Sequence, residues 1–301
     1  MHPDQSLRVM TFNLLSSTKK RRSHPWRLRK RTIARIFEEY APDVVGTQEA
    51  NLAQLHELAD LLPGYDFVGE GNLAGTSHSG TERDWYCAIF YRHEKVRVIG
   101  DESDTWWLSP TPGVPASRFL LATRPRLVTW HMFEQRATGR QFVMGTTHLE
   151  AVSGATRRKS TLLLKDYVAE KIRRLGQEVP LFLTGDFNAV ETSPEIALFG
   201  AEGRGPRLYD AWQDARQARR DPNASATFRG LGPLRHLGRA LLGPRRIDYV
   251  LYRPQLEVSR VERIDFDRLV RHEMARPSDH FPVVADFLLP PAAPVLLQQT
   301  A

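Results

Sequence analysis

Apolar runs of strand length follow one another along this chain, and six polar clusters sit at their ends or just beyond them. In order these are Thr11-Phe12-Asn13, Gln48-Glu49, Thr147-His148-Leu149, Gly185-Asp186-Phe187-Asn188, Arg246-Ile247-Asp248-Tyr249 and Ser278-Asp279-His280. The first five close runs such as Leu7-Arg8-Val9-Met10 and Val179-Pro180-Leu181-Phe182-Leu183. Other runs read as strands at Tyr65–Gly69, Trp85–Arg92, Lys95–Ile99, Arg126–Phe133, Gln141–Leu149, Arg246–Tyr252 and Val283–Leu288. Helical periodicity appears only at Trp26–Glu39, Leu52–Leu62 and Thr156–Leu175. Strands in consecutive runs, with helices between only some of them, predict antiparallel or mixed sheets in an α/β fold. A fold that carries such strands to one rim gathers the polar clusters into one pocket.

The chain has 301 residues, enough for one large domain with a substantial core. No repeat or linker divides it, so residues 6–289 are expected to form a single domain, with Pro290–Ala301 as a loose tail. No apolar stretch is long enough to span a bilayer, and Met1–Ser6 lacks the apolar core of a secretory signal. The single cysteine, Cys87, excludes an internal disulfide framework and fits a reducing, cytoplasmic setting. Its place in a strand-like run reads as a small core residue rather than a nucleophile, and there is no zinc pattern of cysteines and histidines.

The pocket would hold oxygen ligands for a hard cation, two imidazoles and an aspartate able to activate water. That inventory suits metal-assisted hydrolysis of a phosphate ester. Taken in this order and at these separations, the six clusters resemble the endonuclease/exonuclease/phosphatase superfamily, the DNase I-like phosphoesterases, over residues 6 to 288. The resemblance implies a four-layer α/β sandwich, two packed sheets flanked by helices. It implies Glu49 as the principal ligand for Mg²⁺ or Mn²⁺, with Asn13 nearby and Asp279 as a further metal contact. It assigns Asp186 to the attacking water and Asn188 to the phosphoryl oxygens. Asp248 would fix the tautomer of His280, whose cation stabilises charge on the phosphate, and His148 is the second histidine of the DNase I-like and phosphatase branches.

One position departs from the pattern. Relatives often brace this second histidine with a glutamate, and here Trp85 stands where that acid would be, leaving Glu82 or Asp84 as stand-ins or Trp85 to reshape the pocket. Arg126 reads equally as a phosphate contact or an ordinary strand residue. The loops at 70–84, 101–125 and 219–244 are long and irregular, where substrate selectivity is expected.

The net charge of +7 favours an anionic substrate, nucleic acid among the candidates, without choosing one; no obligate protein partner is evident. The densest basic cluster, Lys19 to Arg31, is a phosphate-binding rim or a solvated helix face, as are Arg157-Arg158-Lys159 and Arg245-Arg246. Trp106-Trp107 is a stacking or lipid-dipping pair, or simple packing. Against the enzyme stand two other classes: a binding protein that has lost catalysis on this scaffold, and a nucleic-acid-binding module. The first is disfavoured because Glu49, Asp186, Asn188, Asp248 and His280 are all present.

Overall fold

A computed structural model describes residues 5–17, 25–215, 225–229, 245–270 and 276–290. Two six-stranded mixed sheets pack face to face. The first runs, edge to edge, Glu257–Arg263 (β11), Val283–Leu288 (β12), Ser6–Asn13 (β1), Val44–Gln48 (β2), Tyr86–Arg92 (β4) and Tyr65–Gly71 (β3). The second runs Val96–Trp107 (β5), Leu127–Gln135 (β6), Gln141–His148 (β7), Leu181–Asp186 (β8), Asp248–Arg253 (β10) and Tyr209–Asp210 (β9).

Each sheet contains a parallel pair, β1 with β2 and β7 with β8; its other neighbours are antiparallel. Each parallel pair is joined through a helix, as a parallel crossover requires: Trp26–Tyr40 (α1) in one sheet and Gly154–Leu175 (α3) in the other. Because the two strands of such a pair point the same way, both of their carboxyl ends reach one rim.

Three apolar layers hold the sandwich. α1 and Leu52–Leu61 (α2) pack Ile33, Ile36, Phe37, Leu55 and Leu58 on Met10, Phe12, Val45 and Phe90 of the first sheet. α3 and Pro194–Gly200 (α4) cover the other side with Leu164, Val168, Ile172, Ile196 and Phe199. Between the sheets lie Val9, Val44, Phe133, Phe142, Phe182, Tyr252 and Phe287. The arrangement is the four-layer α/β sandwich that the family resemblance implies.

The space between the sheets changes character along the strands. Toward the rim the apolar filling gives way to Thr11, Thr47, Gln48, Thr146, Thr147 and Thr184, all fully buried. Gln48 Nε2 donates across the gap to Thr146 Oγ1 at 2.9 Å. Gly46 makes room for this close approach, since a Cβ there would lie 2.0 Å from Thr184 Oγ1. The Gln48–Thr146 bond thus ties the two sheets together beneath the polar clusters.

The strand expectations fall within a few residues of these elements. β9 and β11 have no counterpart among them, and β5 runs on to Trp107 through an irregular register between Ile99 and Asp104. Part of the expected 101–125 loop is therefore strand. Most of the 219–244 loop and nearly all of the expected 290–301 tail lie outside the described residues.

Candidate active site

Strand register builds the pocket. Asn13 ends β1 beside Gln48 of β2, so Glu49 follows at the same rim. His148 pairs with Asp186 across β7 and β8, and Asp186 pairs with Asp248 across β8 and β10. Gly185 is required just before Asp186: its φ is 155°, and a Cβ there would sit 2.1 Å from Thr147 O of the neighbouring strand. Glu49 and Asn188 leave their strands with φ of 69° and 49°. Asparagine tolerates that left-handed backbone, whereas for glutamate it costs on the order of 1 kcal/mol, a strain typical of functional sites.

Asn13 is the hub of the acidic side. Its Oδ1 accepts from Leu15 N, and its Nδ2 donates to Glu49 Oε1 at 3.2 Å and Asp186 Oδ2 at 3.0 Å. Asp186 Oδ1 accepts from Asn188 N at 2.9 Å. Burial, reinforced by the charges of Asp248 and Glu49 and opposed by His280, pushes the Asp186 carboxyl up to about 7. His280 Nδ1 lies 2.9 Å from Asp248 Oδ2, and its Nε2 lies 3.6 Å from Asp186 Oδ2. Burial alone would push His280 down, but Asp248 and Asp186 outweigh it and raise it well above the ordinary histidine range. Ser278 Oγ donates to Asn13 O at 2.6 Å and accepts from His280 N, which fastens this histidine to β1.

His148 has opposite surroundings. Its Nε2 lies 3.0 Å from Asn188 Nδ2 and 3.4 Å from Asp186 Oδ2. Burial, then Arg126, His280 and Arg124, push it well below the ordinary range, so it is a neutral ring accepting from the Asn188 amide. Trp85 braces it by stacking, the two rings 7° from parallel with centroids 6.2 Å apart. Neither proposed acid substitutes. Asp84 is fully buried and spends its carboxylate on Leu73 N and Gly80 N at 2.7 and 2.8 Å, while Glu82 is exposed. The Arg124 guanidinium lies over the Trp85 ring, 3.4 Å from its centroid. Burial and the neighbouring Arg126 lower Arg124 to about 10. Arg126 is buried with its Nε 3.5 Å from Glu150 Oε2, and lines one pocket with Glu49, Trp85 and His148.

These donors suit a hard divalent cation. Glu49, His148 and Asp186 form one group of ligand atoms within 4.8 Å of one another, and Asp186, Asp248 and His280 form a second. Three carboxylates converge here, met by the Asn13 amide, the imidazoles and the backbone N–H groups of Ser16 and Asn188, and a cation would relieve their mutual repulsion. Asp279 belongs to neither group; its side chain lies 3.5 Å from Ser278 Oγ and its backbone oxygen accepts from Arg229 N.

The basic clusters resolve differently from one another. Lys19 to Arg22 lie outside the described residues. Arg29 is not at the surface: it is fully buried and donates to Leu14 O, Leu15 O and Pro277 O, each at 2.8 Å. It thereby ties the chain after Asn13 to the segment before His280. Arg246 is buried against Asp210 and Glu191, and Arg157 is engaged by Glu195 and two backbone carbonyls. Trp106 stacks on Tyr167 and Trp107 donates to Asn72 O, so the tryptophan pair packs. Cys87 is buried, its thiol pushed up to about 12, as a core residue would be. Nothing in the spacing singles out Arg124 or Glu150, whose places appear only once the loop before β6 and the segment after β7 are folded.

Fold and rim together define a two-sheet sandwich of the phosphoesterase type, with acids and imidazoles at one edge. The Endonuclease/Exonuclease/phosphatase family matches residues 10–280, and the chain belongs to it. A structure of a family protein from Bacteroides thetaiotaomicron superposes with a TM-score of 0.77 at 28% identity, covering 95% of this chain and 98% of that one. The mannosyl-6-phosphatase of the same organism gives 0.76 at 28% identity, over 93% and 99%. Nocturnin of Drosophila melanogaster is 26% identical over 95% of this chain, which spans about half (47%) of that relative's length. Among the described residues no helix is long and apolar enough to cross a membrane.

Proposed function

We propose that the chain is a divalent-metal-dependent hydrolase of phosphate esters, acting through in-line attack of water on phosphorus. The observation that carries this reading is the convergence of Asn13, Glu49, His148, Asp186, Asp248 and His280 from six separate segments onto one rim. Mg²⁺ or Mn²⁺ bound at Glu49, with Asn13 and Asp279 as further candidate contacts, would supply Lewis-acid charge to the phosphoryl oxygens. Asp186 takes the proton from the attacking water as the new O–P bond forms and the ester P–O bond breaks; Asn13 holds its Oδ2 in place. His280, kept cationic by Asp248, faces the charge that grows on the non-bridging oxygens. Asn188 and neutral His148 position the phosphate from the other side. Family membership and the likeness to a mannosyl-6-phosphatase support an ester of phosphoric acid as substrate. The +7 charge keeps nucleic acid among the candidates, and buried, unpaired Cys87 fits a reducing compartment such as the cytosol.

The test is turnover across plasmid DNA, an abasic duplex, a simple diester, a monoester, inositol phosphates and sphingomyelin, with Mg²⁺, Mn²⁺ or EDTA. Metal-dependent hydrolysis of at least one substrate, lost in Asp186→Ala, is expected. Turnover that survives EDTA or the substitution would overturn the assignment.

A further inference from the structure

The Trp85 side of the pocket has more positive charge than a simple diester needs. Arg124 lies flat on the indole and makes no hydrogen bond or ion pair among the described residues. Arg126 is buried beside it, its Nε without a hydrogen-bond partner, and the Trp85 Nε1 is likewise buried and unpartnered. The acid nearest to Arg126, Glu150, already accepts from Thr123 N, Thr123 Oγ1 and Val152 N. Trp85 and Arg126 therefore line the pocket together with Glu49 and His148, Arg124 lies over the Trp85 ring, and of the three groups only Arg126 has an ion-pair partner among the described residues, Glu150 at 3.5 Å. Buried donors of this kind are costly unless a ligand brings the acceptors.

On the opposite side, His280 and a bound cation would already face the reacting phosphoryl group. A diester carries one negative charge and is served there. A phosphomonoester carries close to two near neutral pH, on three terminal oxygens. We propose that Trp85 and Arg124 form a charge-selecting wall, in which the indole fixes the guanidinium so that Arg124 and Arg126 meet the second charge of a phosphomonoester and favour it over a diester. Trp85 acts here as a positioning residue: it touches Arg124 and His148 rather than the substrate. This inference rests on the hydrolase reading and narrows it to a class of ester.

The experiment compares kcat/KM for p-nitrophenyl phosphate and bis(p-nitrophenyl) phosphate in the wild type, Arg124→Gln, Trp85→Leu and Trp85→Phe. Arg173→Gln serves as a control that removes an exposed positive charge from the surface of α3. The wild type should prefer the monoester. Losing one charge-assisted contact should lower the monoester-to-diester ratio ~10-fold in Arg124→Gln. Trp85→Leu should follow it, with the loss mainly in KM, while Trp85→Phe and Arg173→Gln keep the ratio. An unchanged ratio in Arg124→Gln, or an equal fall in Arg173→Gln, would overturn the proposal. Calorimetric binding of inorganic phosphate provides a second readout, with the affinity of Arg124→Gln expected to be ~10-fold weaker at an unchanged melting temperature. If no ester of the wider panel is turned over, the hydrolase reading fails while phosphate binding still tests the wall; equal phosphate affinities would overturn the wall itself.

Discussion

His148 and His280 reach the same pocket at nearly the same depth, 6% and 4% exposed, yet their surroundings drive them in opposite directions. His280 is backed by Asp248 and faces Asp186, and these charges overcome burial to hold its proton. His148 is stacked on Trp85, bonded to an amide and flanked by two arginines, so burial and like charge together remove its proton. Residue type alone therefore says little about the role of a histidine in such a site. The pocket is polarised, with one corner able to receive developing negative charge and the other able to accept a hydrogen bond and border a phosphate.

The comparison breaks most severely at the group both corners share. Asp186→Ala removes the proton acceptor and should cost about 10²–10⁴-fold in kcat, measured at saturating metal. Next comes the cationic corner. His280→Ala should cost about 10²–10³-fold, as when a donor to a charged transition state is removed. Asp248→Asn keeps the shape but not the charge, and should cost about 10- to 100-fold, the range for a residue that orients another. If Asp248→Asn proved as damaging as Asp186→Ala, Asp248 would have to act on the substrate directly.

The scaffold beneath the corners has its own test. Arg29→Ala would leave three buried carbonyls without their donor and should lower the unfolding free energy by about 3 kcal/mol, read by urea denaturation. A loss below about 0.5 kcal/mol, the range of ordinary surface substitutions, would return Arg29 to the role of a solvated helix residue. The smallest effect belongs to the neutral corner: Trp85→Phe keeps a flat ring beside His148 and should change kcat less than about 3-fold.

How far the sequence could foretell this is best judged at particular positions. Most strands are legible as apolar runs, several of them closed by a polar cluster, and the rim residues are legible because side chains at strand ends share one edge whenever neighbouring strands are in register. β11 is not, since Glu257-Val258-Ser259-Arg260-Val261 is a half-exposed edge strand whose alternation is interrupted by the register shift between Val258 and Arg260. Arg29 was misjudged because a basic run carries no mark of which side chain turns inward. The interior choice was made by carbonyls at Leu14, Leu15 and Pro277, the last of them distant in sequence. Trp85 stands out as a departure, but one of its ring partners is Arg124, which reaches it from a loop with no periodic signal.

The central claim is that water, activated at Asp186, attacks phosphorus at this rim. It is tested most directly by running the preferred ester to completion in ¹⁸O-labelled water and reading the product phosphate by ³¹P resonance. One labelled oxygen should appear in the phosphoryl product, at a rate that collapses in Asp186→Ala. Label in the released alcohol, or incorporation at an undiminished rate in the variant, would contradict the mechanism.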